Sequence, residues 1–199
     1  ILGLVGDFKT EEALALVKRI LGNWKMGQEV DKPDTTYQKT TSRNVYYVEK
    51  FLMTQAKIMI GHLGMIRNHP DYYAVVIMNQ ILSGSFGARL FSNIRSKKGL
   101  AYDVHGGISF GWDFPALTTL SMSTKTDTTG AGIDALIEET SKIVKHSPPT
   151  EQEVKKAKTS LLNSFVFSVD SPRKIISKFL FYEYFGYPLN WLTRFRKGI

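Results

Sequence analysis

Two helical patterns, each closed by glycine, occupy the middle of the chain and constrain how its strands can connect. Tyr73, Val76, Ile77 and Ile81 form the apolar face of a helix that Pro70 and Asp71 start and that runs to about Leu82. Ser83-Gly84-Ser85-Phe86-Gly87 breaks that pattern with a glycine-punctuated turn. A second, shorter helix then covers Ala88–Lys97, with Leu90, Phe91 and Ile94 on its buried side and Gly99 as its C-terminal cap. A strand follows over Leu100–His105 and another short one over Ile108–Phe110. The loop Gly111–Pro115 leads into a third strand, Ala116–Thr124, which alternates apolar and polar residues.

The flanking segments follow the same logic. Residues 1–6 are a short apolar run that reads as a buried strand. Thr10 is placed to cap a helix, with Glu11 and Glu12 in its first turn, Leu14, Val17, Ile20 and Leu21 at helical spacing, and Gly22 at its end. A polar stretch, Gly27–Thr40, reads as a linker, and Asn44–Phe51 and Ala56–Leu63 read as strands. Three helices follow: Thr129 to about Lys145, one opened by the capping box Thr150-Glu-Gln-Glu153 and continuing to Phe165, and one opened by Ser171-Pro172 that buries Ile175, Ile176, Phe179 and Leu180 and stops near Gly186. Adjacent strands joined by short turns and mixed with helices predict an α+β domain over residues 1–199. Its sheet is expected to be largely antiparallel, with helices packed on one side. Both ends, the apolar start at Ile1 and Trp191–Ile199, read as cut from a longer chain.

Composition removes several classes of chemistry. With 199 residues, 43% of them hydrophobic, the chain can build a core without staples. It has no cysteine, which excludes disulfides, thiol catalysis, iron–sulfur clusters and cysteine zinc sites. Its 26 Lys and Arg against 18 Asp and Glu give a formal charge of +8. That charge is spread along the chain and is not interleaved with repeated aromatic residues, so nucleic acid is not an expected partner. No apolar stretch is long enough for a membrane span, and no signal-peptide pattern occurs in this segment.

The motifs narrow the chemistry further. His62, His69, His105 and His146 form no H-E-x-x-H or H-x-x-E-H string, so no zinc site is expected within this chain. Phosphate loops and the G-x-S-x-G elbow are absent as well. Gly84, Ser85 and Phe86 precede a helix, where backbone N–H groups can hold an anion or a peptide carbonyl; a plain interhelical turn fits the same residues. Arg95 and Tyr102 flank the capping Gly99. The reversal there can bring a guanidinium and a phenol to one sheet edge as an oxyanion or carboxylate clamp. The spacing alone favours a helix-capping arginine beside a half-buried strand tyrosine.

The string from Ile81 to Val104, I-L-S-G-S-F-G-A-R-L-F-S-N-I-R-S-K-K-G-L-A-Y-D-V, resembles the zinc metallopeptidase family of pitrilysin, insulin-degrading enzyme and the mitochondrial processing peptidase, most closely its small bacterial members. The resemblance is to the family's second, zinc-free domain. Leu4–Phe8, Gln55–Gly61, Pro70–Tyr73, Thr150–Val154 and Ser171–Arg173 support it across nearly the whole chain. It implies repeated α+β domains, with zinc held on an H-x-x-E-H helix of the first domain and none bound here. It implies that Tyr102 donates to the oxyanion of the tetrahedral intermediate and that Arg95 holds the substrate carbonyl or positions Tyr102. Gly84, Ser85 and Phe86 fall where the non-catalytic subunit of the processing peptidase carries a longer glycine-rich loop involved in substrate handling. The implied partners are a zinc-bearing N-terminal domain or subunit and a peptide substrate, in a homo- or heterodimer. The parent would be a zinc metalloendopeptidase of which this domain alone is inactive; the alternative is a catalytically inactive partner or scaffold subunit.

Overall fold

A computed structural model describes residues 1–28, 36–37 and 42–199. Most of the expected linker Gly27–Thr40 lies outside the described residues. The elements run α1 (Thr10–Leu21), β1 (Gln55–Leu63), β2 (Met65–Ile66), α2 (Tyr72–Ser83), a π-helix (Phe91–Lys97), β3 (Asp103–Gly107), β4 (Phe110–Gly111), β5 (Leu117–Lys125), α3 (Thr129–Lys145), α4 (Glu151–Phe165), α5 (Pro172–Phe185) and α6 (Trp191–Gly198). They fall into two units: Ile1–Gln38 with Ser168–Leu189, and Lys39–Phe167 with Asn190–Ile199.

In the larger unit β5 is the central strand of an antiparallel sheet ordered β1-β5-β3. Ile58, Met122 and Val104 are register partners across the three strands, and all three are at most 8% exposed. Strand geometry puts alternate residues on opposite faces, so this row defines the core face. Ile81 and Leu82 of α2, Leu90 and Ile94, Ala135, Leu136 and Ile143 of α3, and Ala157 of α4 close over it. Gly132 lets α3 sit close to the sheet, because a Cβ there would lie 3.0 Å from Ile58 Cδ1. The antiparallel sheet with covering helices is the expected class. A second pairing, β2 with β4, is parallel and only two residues long.

Local signals set the helix ends. The Thr150–Glu153 capping box forms as read, with the Glu153 N–H donating to Thr150 Oγ1 and the Thr150 N–H to Glu153 Oε2. In the smaller unit Ser171 caps α5, Pro172 occupies its first turn, and Gly186 ends it in the left-handed region at φ 68°. Gly3 packs against α5: a Cβ there would lie 2.8 Å from Ile176 Cγ1.

Several expectations need correcting. Thr10 is the first residue of α1, not its cap; Lys9 takes the cap position without a side-chain bond. Leu14 and Ile20 of that helix stay exposed while Val17 and Leu21 are half-buried, so its apolar face is only partly covered among the described residues. Residues 1–6 and 44–51 form no strand. Their composition favours extended backbone, but a strand needs a hydrogen-bonded neighbour, and among the described residues neither segment has one. Val45, Tyr46, Tyr47 and Val48 are exposed in consequence. The strand expected from Leu100 begins at Asp103, because the Leu100 N–H is engaged in closing the preceding helix on Ile94 O. Along α5, Tyr182 is buried, while Ile175, Ile176, Phe179 and Leu180 are only half-buried. At the end of the chain, Trp191–Gly198 is a helix that was not expected, and its Trp191 and Phe195 rings pack on Tyr72.

Candidate functional site

The expected helix over Ala88–Lys97 is a π-helix from Phe91 onward, with the Lys98 N–H bonding Asn93 O. Such turns often occur at functional positions. Three anchors fix this one. At its start the Arg89 guanidinium donates to both carboxylate oxygens of Glu153, and also to Ser147 O and Pro148 O. In the middle, Asn93 Nδ2 donates to the buried Glu139 Oε2 at 2.7 Å, and Ile94 is fully buried in the core. At its end, Gly99 takes φ +64°, and the Leu100 N–H returns to Ile94 O. The chain reverses there, and the Tyr102 N–H joins the sheet by donating to Ser123 O.

Arg95 and Tyr102 therefore stand on either side of a fixed reversal. Both are exposed, Tyr102 at 51%. The basic cluster around Arg95 is not equally free. Lys97 donates to Asn93 Oδ1 at 2.9 Å, and Lys98 pairs with Glu138 at 2.6 Å. Hydrogen bonds from Lys142 first and Lys98 second hold the Glu138 carboxyl down at about 2. The Arg95 guanidinium, by contrast, has no hydrogen bond or ion pair among the described residues. It lies over the Phe91 ring, 4.8 Å from the centroid. The Tyr102 hydroxyl likewise has no hydrogen-bond partner among the described residues, and no hydrogen bond joins it to Arg95.

The Gly84-Ser85-Phe86 turn is drawn in at one point. Phe86, 81% exposed, meets Phe91 edge to face with centroids 5.1 Å apart. Phe86, Phe91 and Arg95 thus form a continuous aromatic–cationic strip. Gly84 and Ser85 are exposed, but their backbone is partly engaged: the Gly84 N–H donates to Gln80 O, and Ser85 O accepts from the Ala88 N–H. Sequence reasoning assigned Phe91 to the core and missed its place under Arg95. The i,i+4 spacing of the two residues was the available signal.

Elsewhere, a cleft of about 520 Å³ separates α2 from the β3 edge. Asn79 spans it, donating to Ile108 O and accepting from the Ile108 N–H, while Ser83 Oγ accepts from the Gly106 N–H. These side chains do what a neighbouring strand would, so the cleft reads as a sealed sheet edge. The four histidines are dispersed, and among the described residues no three His, Asp or Glu side chains converge to hold a metal. The residues described here do not fit a zinc site.

A family model described as the peptidase M16 inactive domain matches residues 1–161. A Bacillus subtilis protein described as an uncharacterized zinc protease, YmxG, is 28% identical over 155 residues, 75% of this chain and 34% of its own length. A Helicobacter pylori protein described as a non-peptidase homolog, YmxG, is 27% identical over 189 residues, 94% of this chain and 43% of its own. The chain therefore spans less than half the length of either relative. The crystal structure of a protease from Helicobacter pylori superposes with a TM-score of 0.82 at 18% identity, over 98% of this chain and 47% of that one, a likeness of fold.

Proposed function

Because this chain belongs to the peptidase M16 inactive-domain family, we propose that it is the zinc-free, substrate-enclosing half of a peptide-hydrolysing protein. One observation carries the reading: Arg95 and Tyr102 flank the Gly99 reversal with both polar ends unengaged among the described residues. A guanidinium offers five directed donors and a permanent charge, and a phenol adds one more. Tyr102 donates a hydrogen bond from its hydroxyl to the oxygen on which charge develops as a peptide carbonyl is attacked, and Arg95 holds the substrate carbonyl or positions Tyr102. Zinc held by an N-terminal domain or subunit would supply the activation of water; no residue of this chain is assigned to hold it.

In the parent protein, Arg95→Ala and Tyr102→Phe should each lower turnover with folding intact. The loss of one such donor typically costs about 2.7–4 kcal/mol of transition-state stabilisation. Normal turnover in both variants would refute the clamp. This chain alone should not hydrolyse peptides.

A second reading has one specific observation in its favour, the description of the Helicobacter pylori relative as a non-peptidase homolog. On that reading the chain is an inactive partner or scaffold. Reading the partner domain for H-x-x-E-H with a downstream Glu separates the two.

A further inference from the structure

We infer that Phe91 is a positioning residue for Arg95, presetting its guanidinium by cation–π contact and leaving its donors free for a ligand. The functional consequence rests on the clamp reading above; the positioning does not. Arg95 is exposed and has no hydrogen bond or ion pair among the described residues, whereas Lys97 and Lys98 beside it are both engaged. A free arginine of this length carries about 2 kcal/mol of rotamer entropy, which any ligand it grips must offset. The Phe91 ring 4.8 Å from Arg95 Cζ removes part of that freedom beforehand. Contact with a ring face uses none of the five N–H donors, unlike a salt bridge, which would occupy them.

Phe91 is fit for this work because it is itself held. It opens the π-helix, with the buried Leu90 before it and Ile94 three residues on. The Phe86 ring abuts it at an interplanar angle of 79°. Arg95 thus rests on a ring fixed from the backbone side and from the Gly84–Gly87 turn.

The test has two readouts. In the 199-residue chain, ring current should move the Arg95 Hδ and Hε resonances upfield. Phe91→Leu should abolish that shift, and Phe91→Trp, with its stronger ring current, should enlarge it. Arg95 resonances that sit with those of solvated arginines, or that ignore both substitutions, overturn the inference. Should Phe91→Leu fail to fold, the Trp variant decides alone, because an unchanged Arg95 shift there is the refuting result. In the parent protein, Phe91→Leu should lower turnover about two- to fivefold, the scale of an exposed cation–π contact, and Phe91→Trp should restore it. A loss with Arg95→Ala but none with Phe91→Leu defeats the functional consequence of the Phe91 contact and leaves the clamp standing. No loss with Arg95→Ala, together with a Phe91-dependent shift, defeats the clamp and leaves the positioning standing.

Discussion

The Arg89 guanidinium meets the Glu153 carboxylate fork to fork, with Nε and Nη2 each 2.7 Å from a carboxylate oxygen. Glu153 is also the third residue of α4 and completes its capping box with Thr150. One side chain therefore closes the start of α4 and fastens the residue that leads into the π-helix bearing Arg95. The pair is well shielded, with the Arg89 side chain 13% and the Glu153 side chain 32% exposed. Hydrogen bonds to charged groups contribute about 1.5–3 kcal/mol. Arg89→Ala should therefore destabilise the fold by roughly 2–3 kcal/mol, because it also strips Ser147 O and Pro148 O of their donor. Denaturant melts of the two proteins check this, and equal midpoints would refute it.

The same contact predicts an acid dependence. The Arg89 hydrogen bond, aided by the Thr150 N–H and hydroxyl, holds the Glu153 carboxyl at about 2, below its ordinary 4.5. A depressed carboxylate contributes stability above its unfolded value and loses it as pH falls through the folded one. Glu153→Gln should be less stable than the parent chain at neutral pH, and the gap should narrow between about pH 4.5 and pH 2. Thermal melts across that window read the difference, and a constant gap would exclude the linkage.

Gly99 predicts a backbone effect without a packing one. Its φ of +64° disfavours a side chain, yet a Cβ there would meet nothing within 4 Å. Gly99→Ala should cost roughly 1–2 kcal/mol from the left-handed conformation alone. Gly99→Asn should cost less, because asparagine visits that region more readily. If Ala and Asn are equally tolerated, the reversal between Arg95 and Tyr102 is not fixed by this glycine.

What could be read from sequence was mostly local. The Thr150 capping box, the Ser171-Pro172 start, Gly186 and Gly99 act through neighbours within a few residues, and each ends or starts a helix as expected. Arg95 and Tyr102 stood out through their spacing around Gly99 and through resemblance. The long-range partners were not legible. Arg89 and Glu153 lie 64 residues apart, and Asn93 and Glu139 lie 46 apart, with no pattern linking them. Asn44–Phe51 has strand composition, but composition does not supply a neighbouring strand. Helix α6 was missed because its anchor is tertiary: Trp191 and Phe195 reach the Tyr72 ring far earlier in the chain.

Asn79 yields the last prediction. Its side-chain amide donates to Ile108 O at 2.8 Å and accepts from the Ile108 N–H at 2.9 Å, in the manner of a strand partner. Asn79→Ala leaves both groups unpaired and should cost about 1–3 kcal/mol. Faster hydrogen exchange at the Ile108 amide is the direct readout. Asn79→Asp separates hydrogen bonding from shape. An ionised carboxylate still accepts from the Ile108 N–H but turns a second acceptor toward Ile108 O. Protonation replaces that repulsion with a donor, so folding raises the pKa of this Asp. A raised carboxyl contributes stability at low pH and loses it as pH rises through the folded value. Relative to the parent chain, Asn79→Asp should therefore be weakest near neutrality and recover on acidification; its gap narrows toward low pH as that of Glu153→Gln does, but because the variant gains a protonated donor rather than because the parent loses a paired carboxylate. An Asn79→Asp variant as stable as the parent at neutral pH would show that the amide does not hold the β3 edge.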